Sequence, residues 1–170
     1  MPGGMVQAML AGHVAAVIVD RFPYGNALMI ETPLSELPPD GLAQLAFPAR
    51  APTMAPNPAL TCPAPEAGLF PETSERSLYV LYAHLQAAPD FSLDEAIACG
   101  AELGKIGQSG NALHPHLHVE VRLGPAGARF TGMAHYVANA SAQEMSNYCT
   151  WRVRNIFQLV DPVVLLQRLP

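Results

Sequence analysis

The sequence is short of charge. Only 14% of its 170 residues are Asp, Glu, Lys or Arg, half are apolar, and the net charge is −5. That balance excludes a self-repelling disordered chain and suits one globular unit able to bury a core. Lys and Arg are few and scattered. Without a basic patch, neither a nucleic-acid partner nor an anionic membrane surface is expected. No apolar run approaches the roughly 18 residues of a membrane-spanning helix. The opening stretch, MPGGMVQAMLAGHVAAVIVD, is apolar, but no Lys or Arg precedes Arg21, and Gly3, Gly4, Gly12 and His13 interrupt it. A secretory signal needs a basic start and an unbroken apolar centre, so two short strands are expected here instead. Cysteine is scarce too: Cys62, Cys99 and Cys149. Their spacing fits neither a zinc knuckle nor a C-x-x-C redox pair. The odd count leaves at least one thiol free or paired between chains. One disulfide could form in an oxidising compartment, with the pair left open, and small buried hydrophobes are the plain alternative.

Proline is plentiful, and it is unevenly spread. Ten of the seventeen prolines lie between Thr32 and Pro71. Proline cannot donate to a ladder, so this stretch is expected to be a long surface insertion, with a short helix at Gly41 to Ala46. Before it, Val14 to Val19 and Ala27 to Ile30 flank the turn Phe22-Pro23-Tyr24-Gly25-Asn26, a predicted hairpin. After it, Ser77 to Leu85 reads as a strand, Ser92 to Ala98 as a short turn of helix, and Glu102 to Ile106 as a short strand. His116 to Leu123 (HLHVEVRL) is the clearest strand. Leu117, Val119 and Val121 alternate with His116, His118, Glu120 and Arg122, which sends the two sets to opposite faces. In the tail, Ser141-Ala142-Gln143-Glu144 has the form of a capping box and predicts a helix over about Ala142 to Tyr148. Asp161-Pro162 predicts a last helix from Val163 to Arg168.

The chemistry gathers at histidine. On a strand, residues i and i+2 share a face, so His116 and His118 can address one small volume. Neutral imidazole is a good zinc ligand, and an ordinary pKa near about 6.5 suits proton transfer at neutral pH. Glu120 shares their face and could fix an imidazole tautomer. His84 ends another strand-like run, and Gly104, Gly107 and Gly110 punctuate the approach to the H-x-H segment. Those glycines do not have phosphate-loop spacing. His114, in the loop before Pro115, is a weaker cleft candidate, and His135 is expected to be a satisfied surface residue. Asp20 and Glu31 read as turn and strand-edge solvation. Tyr79, Tyr82 and Trp151 could line a cleft, although core packing is the default for strand aromatics.

Three segments carry a family resemblance: Tyr82-Ala83-His84-Leu85, the run Gly100 to Gly110 (GAELGKIGQSG), and Pro115-His116-Leu117-His118-Val119-Glu120-Val121-Arg122. Their order and spacing resemble the core of the lysostaphin or LytM-type zinc endopeptidases. Residues 4–14 and 25–30 are similar to that family's first strands, and Asp161-Pro162 stands near the usual domain end. The resemblance implies a single mainly β domain over residues 1–170, an antiparallel sheet or barrel-sandwich hybrid. Its core would span 2–31 and 77–123, with a Pro-rich insertion at 32–76 and a C-terminal extension with short helices at 124–170. It implies hydrolysis of peptide bonds, typically in peptidoglycan cross-links, with a Zn2+ cofactor, a peptide partner and a place outside the cytoplasm. His118 would be the metal ligand. His84 and His116 would be the catalytic pair that activates water and stabilises the tetrahedral intermediate.

The family takes its other two ligands from an H-x-x-x-D motif expected just before Pro2-Gly3-Gly4. His13 does not replace it, because the next Asp is Asp20. The sequence is therefore expected to be an N-terminally truncated member, without tight zinc binding or hydrolysis as given. A non-catalytic peptidoglycan-binding or regulatory relative is the alternative. An unrelated metal-binding β-barrel using His114, His116 and His118 would need the chain to bend at Pro115.

Overall fold

In the computed structural model, the described residues are 3–38, 61–65, 73–163 and 165. Eight strands run in chain order as β1 (Met5–Gln7), β2 (Gly12–Arg21), β3 (Gly25–Pro33), β4 (Arg76–Ala83), β5 (Ala96–Ile97), β6 (Glu102–Lys105), β7 (His118–Pro125) and β8 (Gln158–Val160). A single 3₁₀ turn, Leu34–Glu36, follows β3, and helix α1, Ala142–Arg152, precedes β8. The main sheet has the order β5-β2-β3-β4-β7-β8, and β1 pairs with β6 in a second, two-stranded sheet. Every strand pair is antiparallel. The fold is mainly β, as the resemblance implied, but among the described residues the main sheet stays open between edges β5 and β8 and does not close into a barrel.

The central strands show why they read as unbroken apolar runs. Along β4, Leu78, Val80 and Tyr82 enter one buried cluster, while Tyr79, Leu81 and Ala83 enter the other. Period-two alternation therefore feeds two cores at once, which only a sheet covered on both faces allows. The first core holds Val14, Leu28, Ile30, Val80 and Val121 against Val6 and Leu103 of the small sheet. The second holds Ile18, Met29, Tyr79 and Leu81 against Phe130, Trp151 and Phe157 from the C-terminal part. Tyr79 and Tyr82 are thus core residues rather than cleft walls.

Several expectations move. Residues Ser92 to Ala98 form no helical turn; they carry the short edge strand β5, paired to Gly12 and His13 of β2. The Pro-rich stretch begins inside β3, since Thr32 and Pro33 still pair with Leu78 and Ser77. Strand β7 begins at His118, not His116. The capping box at Ser141 and Glu144 is present, and the helix it opens runs on to Arg152. That extension brings Trp151 and Arg152 to the site. The expected helix at Gly41 to Ala46 lies outside the described residues, and most of the expected last helix does too.

The described part of the insertion, 61–65, is strapped to the C-terminal part. Cys62 and Cys149 form a disulfide, and Cys99 is free and exposed. His135 Nε2 donates to Thr61 O (2.8 Å), Ser146 Oγ donates to Ala64 O (3.2 Å), and Arg154 reaches Pro63 O. His135 is therefore buried and satisfied, not a surface residue. Glu31 is buried as well, contrary to a strand-edge solvation role. It accepts from Gly127 N (2.6 Å) and Tyr79 Oη (3.1 Å) and pairs with Arg129. No helix among the described residues is long and apolar enough to cross a membrane.

Candidate active site

Three of the histidines meet at one end of β4 and β7. Ala83, the last residue of β4, is opposite His118, the first of β7. His84 follows directly, with φ of 63°. Its ring centroid lies 4.8 Å from that of His116 and 5.7 Å from that of His118. His116 stands in the loop before the strand, so its place beside His118 comes from the loop path rather than from strand alternation. Its backbone N–H donates to Gly107 O at 3.2 Å, which anchors that path. His114 is exposed and contributes only its carbonyl.

Hydrogen bonds assign each imidazole a tautomer. A carbonyl can only accept, so His84 Nδ1–H donates to Ser109 O at 2.7 Å, and His116 Nδ1–H donates to His114 O at 2.7 Å. Each neutral ring then keeps its lone pair on Nε2. His118 is set the other way. Its Nε2–H donates to Glu120 Oε1 at 2.9 Å, which leaves Nδ1 as the electron-pair donor. Burial holds the pKa of His84 below its ordinary value, and His116 and His118 lower it further, outweighing the hydrogen bonds to the Ser109 and Tyr24 carbonyls that would raise it. His84 is thus a neutral base at pH 7.

The loop under His84 is fixed by close backbone approach. Gly110, at φ of 67°, packs against Gly25, at φ of 69°; a Cβ on Gly110 would overlap Gly25 N and Pro23 O. Ser109 Oγ accepts from Asn26 N (2.9 Å) and donates to Leu85 O (2.8 Å). These contacts fix Ser109, whose carbonyl orients His84.

Behind His118 lies a carboxylate hub. Glu120 is only 5% exposed. Its Oε1 accepts from His118 and from Tyr24 Oη (3.1 Å); its Oε2 accepts from Trp151 Nε1 (3.0 Å) and Arg122 Nε (3.1 Å). Arg122 Nη2 lies 3.0 Å from Oε2, and Arg152 Nη1 lies 3.6 Å from Oε1. Burial alone would raise the carboxyl pKa. The hydrogen bond from His118 and the charges of Arg152 and Arg122 outweigh it and bring the pKa down to about 2. Glu120 is therefore ionised throughout the neutral range. The sequence named Glu120 as a tautomer holder but missed Tyr24, Arg122 and Arg152, and it placed Trp151 only as a cleft or core aromatic. Tyr24 and Glu120 are 96 residues apart in sequence, so no local pattern could reveal that bond.

His118 Nδ1 suits one zinc ligand. Among the described residues there is no group of three or more His, Cys, Asp or Glu that could hold a metal ion. The described side chains therefore fit one ligand of a zinc site and not a complete catalytic set, which takes three protein donors. What they can do unaided is proton chemistry. The rings of His84 and His116, with centroids 4.8 Å apart, each offer an Nε2 lone pair, so either can accept a proton there and, once it has done so, donate that proton to developing negative charge.

No family model matches the chain, and no curated protein matches it. Among solved structures, it is similar to the catalytic domain of a mutant of the prophage-encoded M23 protein EnpA from Enterococcus faecalis. Identity is 16%, the match covers 75% of this chain and 65% of that one, and the TM-score is 0.43. The likeness is distant, and the chain spans 65% of that chain's length.

Proposed function

We propose that the chain is a zinc-metalloendopeptidase-type domain that cleaves peptide bonds in bacterial peptidoglycan cross-links, at the cell envelope or outside the cell. The observation that carries this reading is the His84, His116 and His118 cluster, with the third ring turned by a buried carboxylate so that Nδ1 is its donor atom. In this reading His118 is the metal ligand, and His84 and His116 are the catalytic pair. A zinc ion held by His118 and two further ligands would supply a Lewis acid and would lower the pKa of water toward about 7. His84 takes a proton at Nε2, because burial keeps it neutral. His116, which is exposed, donates a hydrogen bond to the oxyanion only after its Nε2 has taken a proton, because its Nδ1–H is held by His114 O. The resemblance assigns the other two ligands to an H-x-x-x-D segment. The lack of a closed ligand set among the described residues favours one second reading, a non-catalytic peptidoglycan-binding relative.

Zinc titration by calorimetry separates the two. A chain carrying an H-x-x-x-D segment joined ahead of these residues is expected to bind one zinc and to lose it in His118→Ala, while residues 1–170 alone bind none tightly. Unchanged stoichiometry in His118→Ala rejects the metal assignment. Absence of zinc from that longer chain, together with retained peptidoglycan binding, favours the non-catalytic reading.

A further inference from the structure

The hub behind His118 is out of charge balance. Glu120 brings one negative charge, and two guanidiniums share it. Among the described residues, neither Arg122 nor Arg152 pairs with any other carboxylate. The two are not equivalent. Arg122 is buried, places both Nε and Nη2 on Glu120 Oε2, and gives Nη1 to Phe157 O at 3.2 Å. It consumes the carboxylate's charge and spends its donors. Arg152 only approaches Oε1, at 3.6 Å, beyond hydrogen-bond length, and its side chain is 35% exposed. Its guanidinium lies 5.9 Å from the ring centroid of Tyr148 and also hydrogen-bonds that side chain, a neutral partner that leaves its charge uncancelled. Tyr24 and Tyr148 supply no counter-charge, since burial raises both hydroxyl pKa values, that of Tyr148 to about 12.

The surplus positive charge is therefore carried by the partly exposed guanidinium of Arg152. It sits beside the candidate ligand. The oxygen it approaches is the one that holds His118 Nε2 at 2.9 Å, so the two nitrogens are no farther apart than those two lengths laid end to end. His118 is itself 35% exposed. In a chain with net charge −5, a cation in this position favours an incoming anion.

We propose that Arg152 is a specificity-determining residue that binds a carboxylate of the peptide substrate next to His118. The inference rests on the peptidase reading and adds to it a substrate class, peptides carrying a carboxylate close to the site. The planar fork of Arg pairs with a carboxylate through two parallel N–H donors, and such charge-assisted bonds exceed neutral ones. The carboxylate can be a free α-carboxyl terminus or an acidic side chain.

The test is a calorimetric titration of the full chain with three peptides: N-acetyl-Ala-Ala-Ala as the free acid, the same peptide as its amide, and N-acetyl-Ala-Glu-Ala amide. At least one carboxylate peptide is expected to bind about tenfold tighter than the neutral amide, roughly the value of one charge-assisted hydrogen bond. Which of the two it is identifies the source of the carboxylate. Arg152→Met is expected to bring the ratio close to one, and Arg152→Lys to restore part of it, with circular dichroism checking that both fold. Equal binding of all three peptides by the natural chain overturns the proposal, as does a ratio unchanged in Arg152→Met or no saturable binding of any peptide. Failure of the peptidase reading shows separately, as an intact binding ratio in a chain that, even with an H-x-x-x-D segment joined to it, neither holds zinc nor cleaves peptide.

Discussion

Removing the Glu120 carboxylate tests the hub most directly. Glu120→Ala leaves the buried guanidinium of Arg122, the Trp151 N–H and the Tyr24 O–H without their acceptor. Two routes give the size of the loss. Holding a carboxyl at about 2 instead of its ordinary 4.5 corresponds to about 3 kcal/mol of favourable interaction with the ionised form. Breaking a buried ion pair from one side costs about 3 to 5 kcal/mol. The routes agree, so a loss of about 3 to 5 kcal/mol is expected, or a fall in Tm of roughly 10 °C for a domain of this size. The chain has a single tryptophan, Trp151, and it touches the group removed. Urea unfolding followed by its fluorescence therefore reads the change. Glu120→Gln keeps the volume and should lose less. The His118 ring should also lose its tautomer preference, visible in its imidazole nitrogen shifts. A loss below about 1 kcal/mol in Glu120→Ala, with the shifts unmoved, would refute the hub as the device that sets His118.

Other perturbations give separate checks. Cys149→Ser, or reduction, opens a link between residues 87 apart, for which chain entropy alone predicts a loss of about 4 to 5 kcal/mol in chemical denaturation. Gly110→Ala should cost at least about 1 to 2 kcal/mol for its left-handed backbone, and it should also shift the His84 ring resonances, because Ser109 moves with it. Glu31 gives a pH signature: burial pushes its pKa up, but bonds from Gly127, Ser77 and Arg129 win and lower it. Its contribution is complete above the unfolded carboxyl pKa of about 4.5 and is lost as pH falls through the lower folded value. Glu31→Gln should flatten that acid limb of the stability curve, and an unchanged limb would rule out Glu31 as its source.

The parts legible in the sequence were those set by local rules. Alternation in Val119, Glu120, Val121 and Arg122 did send valine to one core and the charged pair to the other face. The capping box marked the start of α1, because its two bonds lie within three residues. Its end was misplaced, since Trp151 and Arg152 continue the helix through tertiary bonds to Glu120 rather than through any local stop signal. Ser92 to Ala98 misled for a related reason: β5 exists only because Gly12 and His13 offer it an edge. His116 was paired with His118 by strand logic, yet the loop hydrogen bonds to Gly107 and His114 place it. The burial of Glu31 was hidden because Arg129, which neutralises it, comes from 98 residues away.

The left-handed backbone under His84 has a consequence for any attempt to harden this protein. At φ of 63°, a side chain with a Cβ costs about 1 to 2 kcal/mol that glycine avoids. Selection for heat resistance alone would therefore favour His84→Gly over His84→Ala, and would discard the ring standing between the other two imidazoles. Durability and chemistry compete at that residue, so a thermostable descendant that kept His84 would have to find its gains elsewhere.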